Sequence, residues 1–236
     1  MKKTIFLLLI LGSITVSAQK TIRDDNAVSR DAKGFHGIEV SDGIDLYLSQ
    51  GNEEAIAVTA ASPEYRDKIK TEVRNGILLI YCEKPGIWAT GWGNRKLKAY
   101  VSIKKLDQLT ASGGSDVFIE NELNSASLSL TMSGGADFRG KVQATDLTIS
   151  ASGGSDTYIS GKSANLRISA SGGSDIHAYE LISDNCDLQT SGGSDVHITV
   201  NKEIKGSVSG GSDVYYKGAA NSSVGKSGGG TVKKTS

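Results

Sequence analysis

The stretch Ile149-Ser-Ala-Ser-Gly-Gly-Ser-Asp-Thr-Tyr-Ile159 contains the pattern that decides the fold. Its central pentapeptide, Ser-Gly-Gly-Ser-Asp, stands at 112–116, 152–156, 171–175, 191–195 and 209–213, with a variant Ser-Gly-Gly-Ala-Asp at 133–137 and a degenerate copy Ser-Gly-Gly-Gly-Thr at 227–231. Successive copies begin 18 to 21 residues apart. A period near 19 residues indicates one structural unit per repeat, with each unit stacked on its neighbours.

Apolar residues alternate with polar ones on both sides of the pentapeptide. Ile149 and Ala151 precede it and Ile159 follows it, and the other copies carry apolar residues at the same odd offsets. A period of two predicts β-strands with one buried face. Each repeat thus has one strand before the glycine corner and one after it. We expect a polar turn and then a short third side to complete the coil, with the inward position of that third side at Leu123, Ala144, Ser163 and Ile182.

These units predict an all-β protein, a right-handed parallel β-helix of coils of about 19 residues. Stacked corners bring backbones close together and require φ angles that only glycine adopts easily, which accounts for the Gly-Gly pairs. A leucine-rich-repeat horseshoe is disfavoured because no helical half-repeat or asparagine ladder is evident. A β-propeller blade needs roughly twice this period.

The pattern divides the chain into segments. Residues 34–218 form the β-helix domain, with an irregular N-terminal part at 34–105 and the repeated coils at 106–218. Within the irregular part, residues 41–45 resemble a diverged first corner, Ser62-Pro63 starts a short helix to about Lys70, and residues 71–82 form a hairpin around Asn75-Gly76. Residues 219–236 are predicted to be a degenerate cap or tail, with lysines protecting the last edge.

The N-terminus predicts export. Lys2 and Lys3 precede an apolar run at 5–16, and Val16-Ser17-Ala18 offers small residues for cleavage, so residues 1–18 are expected to be a signal peptide, the alternative being an uncleaved anchor. Residues 19–33 are polar and predicted to be a flexible leader. No membrane span is expected after cleavage, and the periplasm, cell surface and extracellular space all remain open as locations.

Charge and cysteine content exclude some functions. The chain has 26 basic and 26 acidic residues, which argues against nucleic-acid binding because that needs a basic face. Its two cysteines are Cys82 and Cys186, too few for a disulfide framework. Cys186 occupies an inward position otherwise held mainly by Leu and Ile, which favours a free core thiol over a disulfide.

An export signal, the head Ile-x-Val-x-x-Gly-Ile-Asp-Leu-x-Leu at 38–48 and the Ser-Gly-Gly-Ser-Asp coils together resemble the putative auto-transporter adhesin, head GIN domain family, common in Bacteroidetes. The resemblance covers roughly residues 34–218, and the family's Gly-Ile-Asn appears here as Gly43-Ile44-Asp45. It implies a right-handed β-helix on or outside the cell envelope. It carries over no catalytic residue, and the sequence contains no recognisable translocator.

The last residue of each pentapeptide forms one predicted outward row, the Asp column: Asp116, Asp137, Asp156, Asp175, Asp195 and Asp213. Neighbouring carboxylates at ~4.8 Å repel by about 0.9 kcal/mol in water, so something must offset their charge. Nearby serine hydroxyls or corner N–H groups can do so, as in an Asx-turn. The alternative is Ca²⁺ shared between carboxylates of adjacent coils.

Two residues further on lies a second row, the ring column: Phe118, Arg139, Tyr158, His177, His197 and Tyr215. Planar and cationic groups beside carboxylates are typical of a strip that binds a carbohydrate or a protein. The alternative is a side-chain ladder that only stabilises the stack. His177 and His197 with their aspartates could hold a transition metal, although a solvated pair is the simpler interpretation.

Trp88 and Trp92 lie in a glycine-rich segment and either contact a ligand or cap an open end of the coil. Many parallel β-helices act on polysaccharides, but here the acids form a regular row, and no nucleophile motif or phosphate loop appears. We therefore expect a non-catalytic binding module without a cofactor, whose partner is a cell-surface glycan or an envelope protein. A polysaccharide-acting β-helix enzyme and a purely structural envelope scaffold are the alternatives, and the oligomeric state is left open.

Overall fold

The computed structural model describes residues 26–83 and 95–235. The chain is nearly all β and forms a parallel β-solenoid of about seven turns with a spacing near 19 residues, which confirms the predicted fold class. The right-handed sense stays a prediction.

Sixteen strands and one short helix are described, and adjacent coils pair in parallel through most of the stack. In chain order they are β1 Val28–Arg30, β2 Gly37–Val40, β3 Asp45–Gln50, β4 Ala55–Thr59, α1 Pro63–Asp67, β5 Ile69–Arg74, β6 Ile77–Cys82, β7 Lys98–Ile103, β8 Gln108–Ala111, β9 Val117–Met132, β10 Phe138–Ala151, β11 Asp156–Ala170, β12 Asp175–Thr190, β13 Asp195–Val208, β14 Asp213–Lys217, β15 Asn221–Lys226 and β16 Thr231–Lys234.

The glycine corners stack directly on one another. Gly192 has a φ of 78°, and a Cβ built on it would lie 2.7 Å from the carbonyl oxygen of Gly172 in the preceding coil. The N–H of Gly193 donates to that same oxygen at 2.7 Å. The first glycine is therefore required both for its backbone angle and for the close approach of the corners. The second glycine has a positive φ only at the two corners containing Gly114 and Gly135.

The second serine of the pentapeptide points inward. Ser174 is fully buried, and its hydroxyl donates to the carbonyl oxygens of Ser171 in its own corner and of Ala151 in the coil before, both at 3.1 Å. These bonds satisfy a buried hydroxyl and tie one corner to the next. The variant copy has Ala136 at this position, also fully buried, so the hydroxyl is not indispensable at every coil.

Aliphatic rows line the interior as predicted, with one error on the third side. Ile182 was expected to face inward but is 45% exposed, and the buried residue there is its neighbour Leu181. Leu181 lies in register with Gly161, and Gly161 with Val142. The coils differ in length by a few residues, and β-bulges before the third side absorb the difference, which shifts the side chain that points inward.

The first coils stack in an order that differs from chain order. Strand β2 lies between β6 and β8, and β3 lies between β7 and β9, so the β2–β3 coil is inserted between two coils that follow it in the chain. Asp42, at the predicted first corner, has a φ of 65° and lies against Gly113, which confirms that corner. Antiparallel pairs of β4 with β7, β1 with β4 and β5 with β6 close this end of the stack.

The local predictions in this region are confirmed with small corrections. Ser62 caps α1 by accepting from the N–H of Tyr65, but the helix ends at Asp67. The hairpin turns at Asn75 and Gly76, both with positive φ. The predicted flexible leader is partly wrong, because β1 within it pairs with β4. The predicted signal peptide lies outside the described residues.

The C-terminal segment continues the solenoid, because β15 pairs with β13 and β16 with β14. It is thus a last coil and not a frayed tail.

Cys82 and Cys186 are both buried and free. A short asparagine ladder also occurs, at Asn165 and Asn185, contrary to the sequence-based expectation. Within residues 26–83 and 95–235 no helix has the length and apolar character needed to cross a membrane.

Candidate functional site

The Asp column lies on the outer surface, immediately after the corners. Asp156, Asp175, Asp195 and Asp213 are in register on four successive strands, and each is partly exposed. Each corner fixes the start of its strand, so the aspartate that ends the pentapeptide has the same position around the coil in every repeat. The structure therefore gathers the predicted row into one continuous line of carboxylates.

Backbone N–H groups of the next coil neutralise part of this charge. Asp137 accepts from the N–H of Asp156 at 3.2 Å, Asp175 from that of Asp195 at 3.3 Å, and Asp213 from that of Thr231 at 2.9 Å. The prediction of N–H donors is confirmed, but they belong to the neighbouring coil and not to the carboxylate's own turn. These bonds link adjacent coils and offset part of the repulsion along the column.

Burial first, and the charge of neighbouring carboxylates second, make two carboxyls of the Asp column less acidic. Burial, followed by the charges of Asp137 and Asp175, raises the pKa of Asp156 above its usual value. Burial likewise raises the pKa of Asp116. Ionisation of these carboxyls is therefore less favourable in the folded protein than in the unfolded chain.

The ring column is a nearly continuous stack on the same face. The ring centroids of Tyr158 and His177 are 4.5 Å apart, those of His177 and His197 5.6 Å, and those of His197 and Tyr215 5.2 Å, with interplanar angles of 14° or less. The Arg139 guanidinium lies 4.8 Å from the Tyr158 ring centroid. The parallel register of the strands imposes this spacing, because each ring stands one rung above the next.

Both columns extend further towards the N-terminus than the sequence pattern predicts. Tyr47 stacks on Phe118 and on Tyr100, each at 5.1 Å between centroids, and extends the ring column by two rungs. Asp45 extends the Asp column, and its pKa is raised by burial and by the charge of Asp116. Asp45 and Tyr47 stand at the proper offsets from the predicted first corner and could have been found there. Tyr100 could not, since its coil has no recognisable corner.

His197 has a partner outside the column. Its Nδ1 lies 3.1 Å from the Tyr179 hydroxyl, and the two rings meet edge to face at 5.1 Å. Burial, and secondly the charge of His177, lowers the pKa of His197. This histidine therefore remains neutral to a lower pH than a free imidazole does.

No group of three or more His, Cys, Asp or Glu within the described ranges is arranged to hold a metal ion. Shared Ca²⁺ on the Asp column stays a hypothesis, tested by calorimetric titration with Ca²⁺ and by melting with and without chelator. Trp88 and Trp92, predicted as ligand contacts or caps, lie outside the described residues.

Solved structures share this architecture. A putative adhesin from Bacteroides fragilis superposes with a TM-score of 0.80 at 20% identity, over 90% of this chain and 98% of that one. A putative lipid binding protein from Parabacteroides distasonis gives 0.65 at 18%, over 90% and 98%, and a putative adhesin from Parabacteroides merdae gives 0.61 at 17%, over 89% and 95%. At these identities the likeness establishes the fold alone.

Among curated proteins, none matches the chain. Residues 34–220, however, match the family described as putative auto-transporter adhesin, head GIN domain. This range begins where the domain was predicted to begin and spans most of the sequence. The repeated corners and the parallel solenoid agree with this match, and the chain belongs to the family described as putative auto-transporter adhesin, head GIN domain.

Proposed function

We propose that the protein is an exported, non-catalytic binding module whose Asp column and ring column together form the docking face for a protein of the cell envelope. The observation that carries the proposal is the exposed, in-register line of carboxylates beside stacked aromatic, histidine and arginine side chains. The family and its adhesin-type structural neighbours support a binding role.

The packing of the rings favours a protein partner over a glycan. A sugar ring stacks on a free aromatic face, but in the ring column the faces of His177 and His197 lie against neighbouring rings at 4.5 to 5.6 Å. The stack leaves ring edges, hydroxyls and nitrogens for a ligand, and these groups suit directional hydrogen bonds to a polypeptide surface. Glycan binding that the Tyr158→Ala/His177→Ala/Tyr215→Ala variant loses is accordingly the alternative outcome of the test.

The centre of the face has the composition of a protein-binding hot spot. Tyr158 is 38% exposed and carries the Arg139 guanidinium over its ring, while Arg139 also pairs with Asp137 at 3.3 Å. Tyrosine and arginine are enriched among residues that dominate binding energy, because they combine a large contact area with directional polar groups. These three side chains form a preordered contact patch.

Regular repetition argues against an enzyme. A polysaccharide-cleaving site needs two carboxyls with different pKa values in a local cleft, whereas here each coil repeats the same carboxylate at the same position. A purely structural role for the columns is the remaining alternative. The rings do stabilise the stack, so the test must separate binding from folding.

The test uses the triple variant Tyr158→Ala/His177→Ala/Tyr215→Ala. Its matched control is Ser129→Ala/Ser150→Ala/Ser169→Ala, which changes side chains on the strand segment before the corner. Binding of each purified protein is measured on solubilised envelope proteins, on a glycan array and on whole cells, with circular dichroism and melting to verify folding. We expect the triple variant alone to lose binding to envelope protein. Unchanged binding by a folded triple variant would show that the columns are structural.

A further inference from the structure

A second outward surface lies on the strand segments that precede the corners. It is a groove of about 430 Å³ crossing β10, β11, β12 and β13, here named the polar groove. One wall is the row Asp146, Asn165, Asn185 and Glu203, and the other contains Arg167, Asp187 and Lys205. Four strands at ~4.8 Å spacing give it a length of about 14 Å along the solenoid axis.

The first wall carries a hydrogen-bond ladder with a fixed direction. The Asn185 amide nitrogen donates to Asn165 Oδ1 at 3.2 Å, and the Asn165 amide nitrogen donates to Asp146 at 2.8 Å. Glu203 is next in register after Asn185 and, when ionised, offers only acceptors. The ladder therefore ends with Asn185 Oδ1 beside a carboxylate, and no donor in residues 26–83 or 95–235 bonds to either group.

The second wall alternates in charge. Arg167, Asp187 and Lys205 are in register on successive strands, yet none of the three forms an ion pair with a described residue. Elsewhere on the surface, exposed charges do pair: Lys202 reaches Asp184 at 2.9 Å. Cationic donors and a carboxylate acceptor thus alternate along the groove with their hydrogen-bonding capacity available.

The required ligand must donate and accept hydrogen bonds at short intervals along its length. Sugar hydroxyls do both, and amide and carboxylate side chains fix the orientation of such groups in ligand sites. A polyanion fits poorly, because the groove carries three carboxylates against two cationic groups. We propose that the polar groove is a binding site for a neutral oligosaccharide lying along the solenoid axis.

This proposal is independent of the protein-docking face. The polar groove uses residues before the corner, and the Asp column and ring column use residues after it, so no side chain is shared. One of the two sites can fail without the other.

The test compares the full protein with the variants Asn185→Ala/Asp187→Ala and Arg167→Ala on an array of neutral oligosaccharides, followed by calorimetric titration of the strongest binder. Removing two hydrogen-bonding groups should weaken binding by about tenfold or more. The melting temperature should fall by no more than a few degrees, because Arg167 is exposed and the double variant loses only the partly exposed hydrogen bond from Asn185 to Asn165. The variant Tyr158→Ala/His177→Ala/Tyr215→Ala is the control and should bind the oligosaccharide as the unaltered protein does.

Any of the following results would overturn the proposal. They are the absence of binding to every neutral oligosaccharide, binding that survives in both groove variants, and binding that disappears in the Tyr158→Ala/His177→Ala/Tyr215→Ala control while that protein remains folded. A strong decrease of affinity with added salt would point to an acidic polymer and would also contradict it.

Discussion

Replacing one glycine of a corner should be far more damaging than replacing its neighbour. In Gly192→Ala the new Cβ would meet the Gly172 carbonyl oxygen at 2.7 Å and its nitrogen at 3.0 Å, at a φ of 78°. The backbone angle costs an L-residue about 1–2 kcal/mol. Moving the corner to relieve the contact also weakens the hydrogen bond from Gly193 to Gly172, worth about 0.5–1.5 kcal/mol.

We therefore expect Gly192→Ala to lower the free energy of unfolding by about 2–3 kcal/mol and the melting temperature by about 5–10 °C. Gly193→Ala is the matched control, because the nearest atom to its new Cβ is the Gly172 oxygen at 3.8 Å and its φ is not positive. Gly193→Ala should change the free energy of unfolding by no more than about 0.5 kcal/mol, and it can raise it slightly because alanine reduces the entropy of the unfolded chain.

A third variant separates the two causes. Gly114 has a φ of 74°, but a Cβ there would meet nothing within 4 Å. Gly114→Ala should therefore lower the free energy of unfolding only by the cost of the positive φ angle, about 1–2 kcal/mol. Far-UV circular dichroism during heating and urea unfolding measures all three. Equal stability of Gly192→Ala and Gly193→Ala, or a larger loss for Gly114→Ala than for Gly192→Ala, would refute the argument that corner stacking selects the first glycine.

Two further changes should increase stability. The pKa of Asp156 is raised by burial and by neighbouring carboxylates, so its contribution to stability is present below the unfolded pKa near 3.8 and is lost as pH rises through the folded pKa. Asp156→Asn should therefore raise the free energy of unfolding by about 0.5–1 kcal/mol at pH 7 and leave it unchanged at pH 3, as measured by urea unfolding at both pH values. An increase that persists at pH 3 would contradict this cause. The Thr157 hydroxyl is buried without a described hydrogen-bond partner, so Thr157→Val should stabilise by about 1 kcal/mol, whereas Thr148→Val on the outer surface should not. Loss of stability in Thr157→Val would indicate an unseen partner for that hydroxyl.

The proposed sites differ in how far the sequence could predict them. Asp175, Asp195, His177 and His197 stand at constant offsets from their corners, so parity along a strand was sufficient to place them outward in two rows. The polar groove was not predicted. Asn165 and Asn185 recur at the same offset from their corners. The direction of their hydrogen bonds, however, depends on the neighbouring side chain in the adjacent coil. That direction leaves Asn185 Oδ1 without a described donor beside Glu203.

The third side shows the limit of counting residues. The coils vary from 18 to 21 residues, and a count from the corner placed Ile182 inside. The structure absorbs the extra residues in bulges and buries Leu181 instead. A one-residue shift reverses the direction of a strand side chain, so any pattern carried across a bulge loses its parity.

The repeat by itself determined the parallel coil, the role of the first glycine, the aliphatic rows and the two outward columns, because each follows from strand parity and from stacking of identical units. Tertiary structure alone decided the order of the first coils. The β2–β3 coil pairs with β6 and β7 on one side and β8 and β9 on the other, which brings Tyr100, Tyr47 and Phe118 into one stack. Such pairings join segments far apart in the chain. Which strands pair depends on which strand edges are still unpaired once the other coils have folded, and no local sequence pattern contains that information.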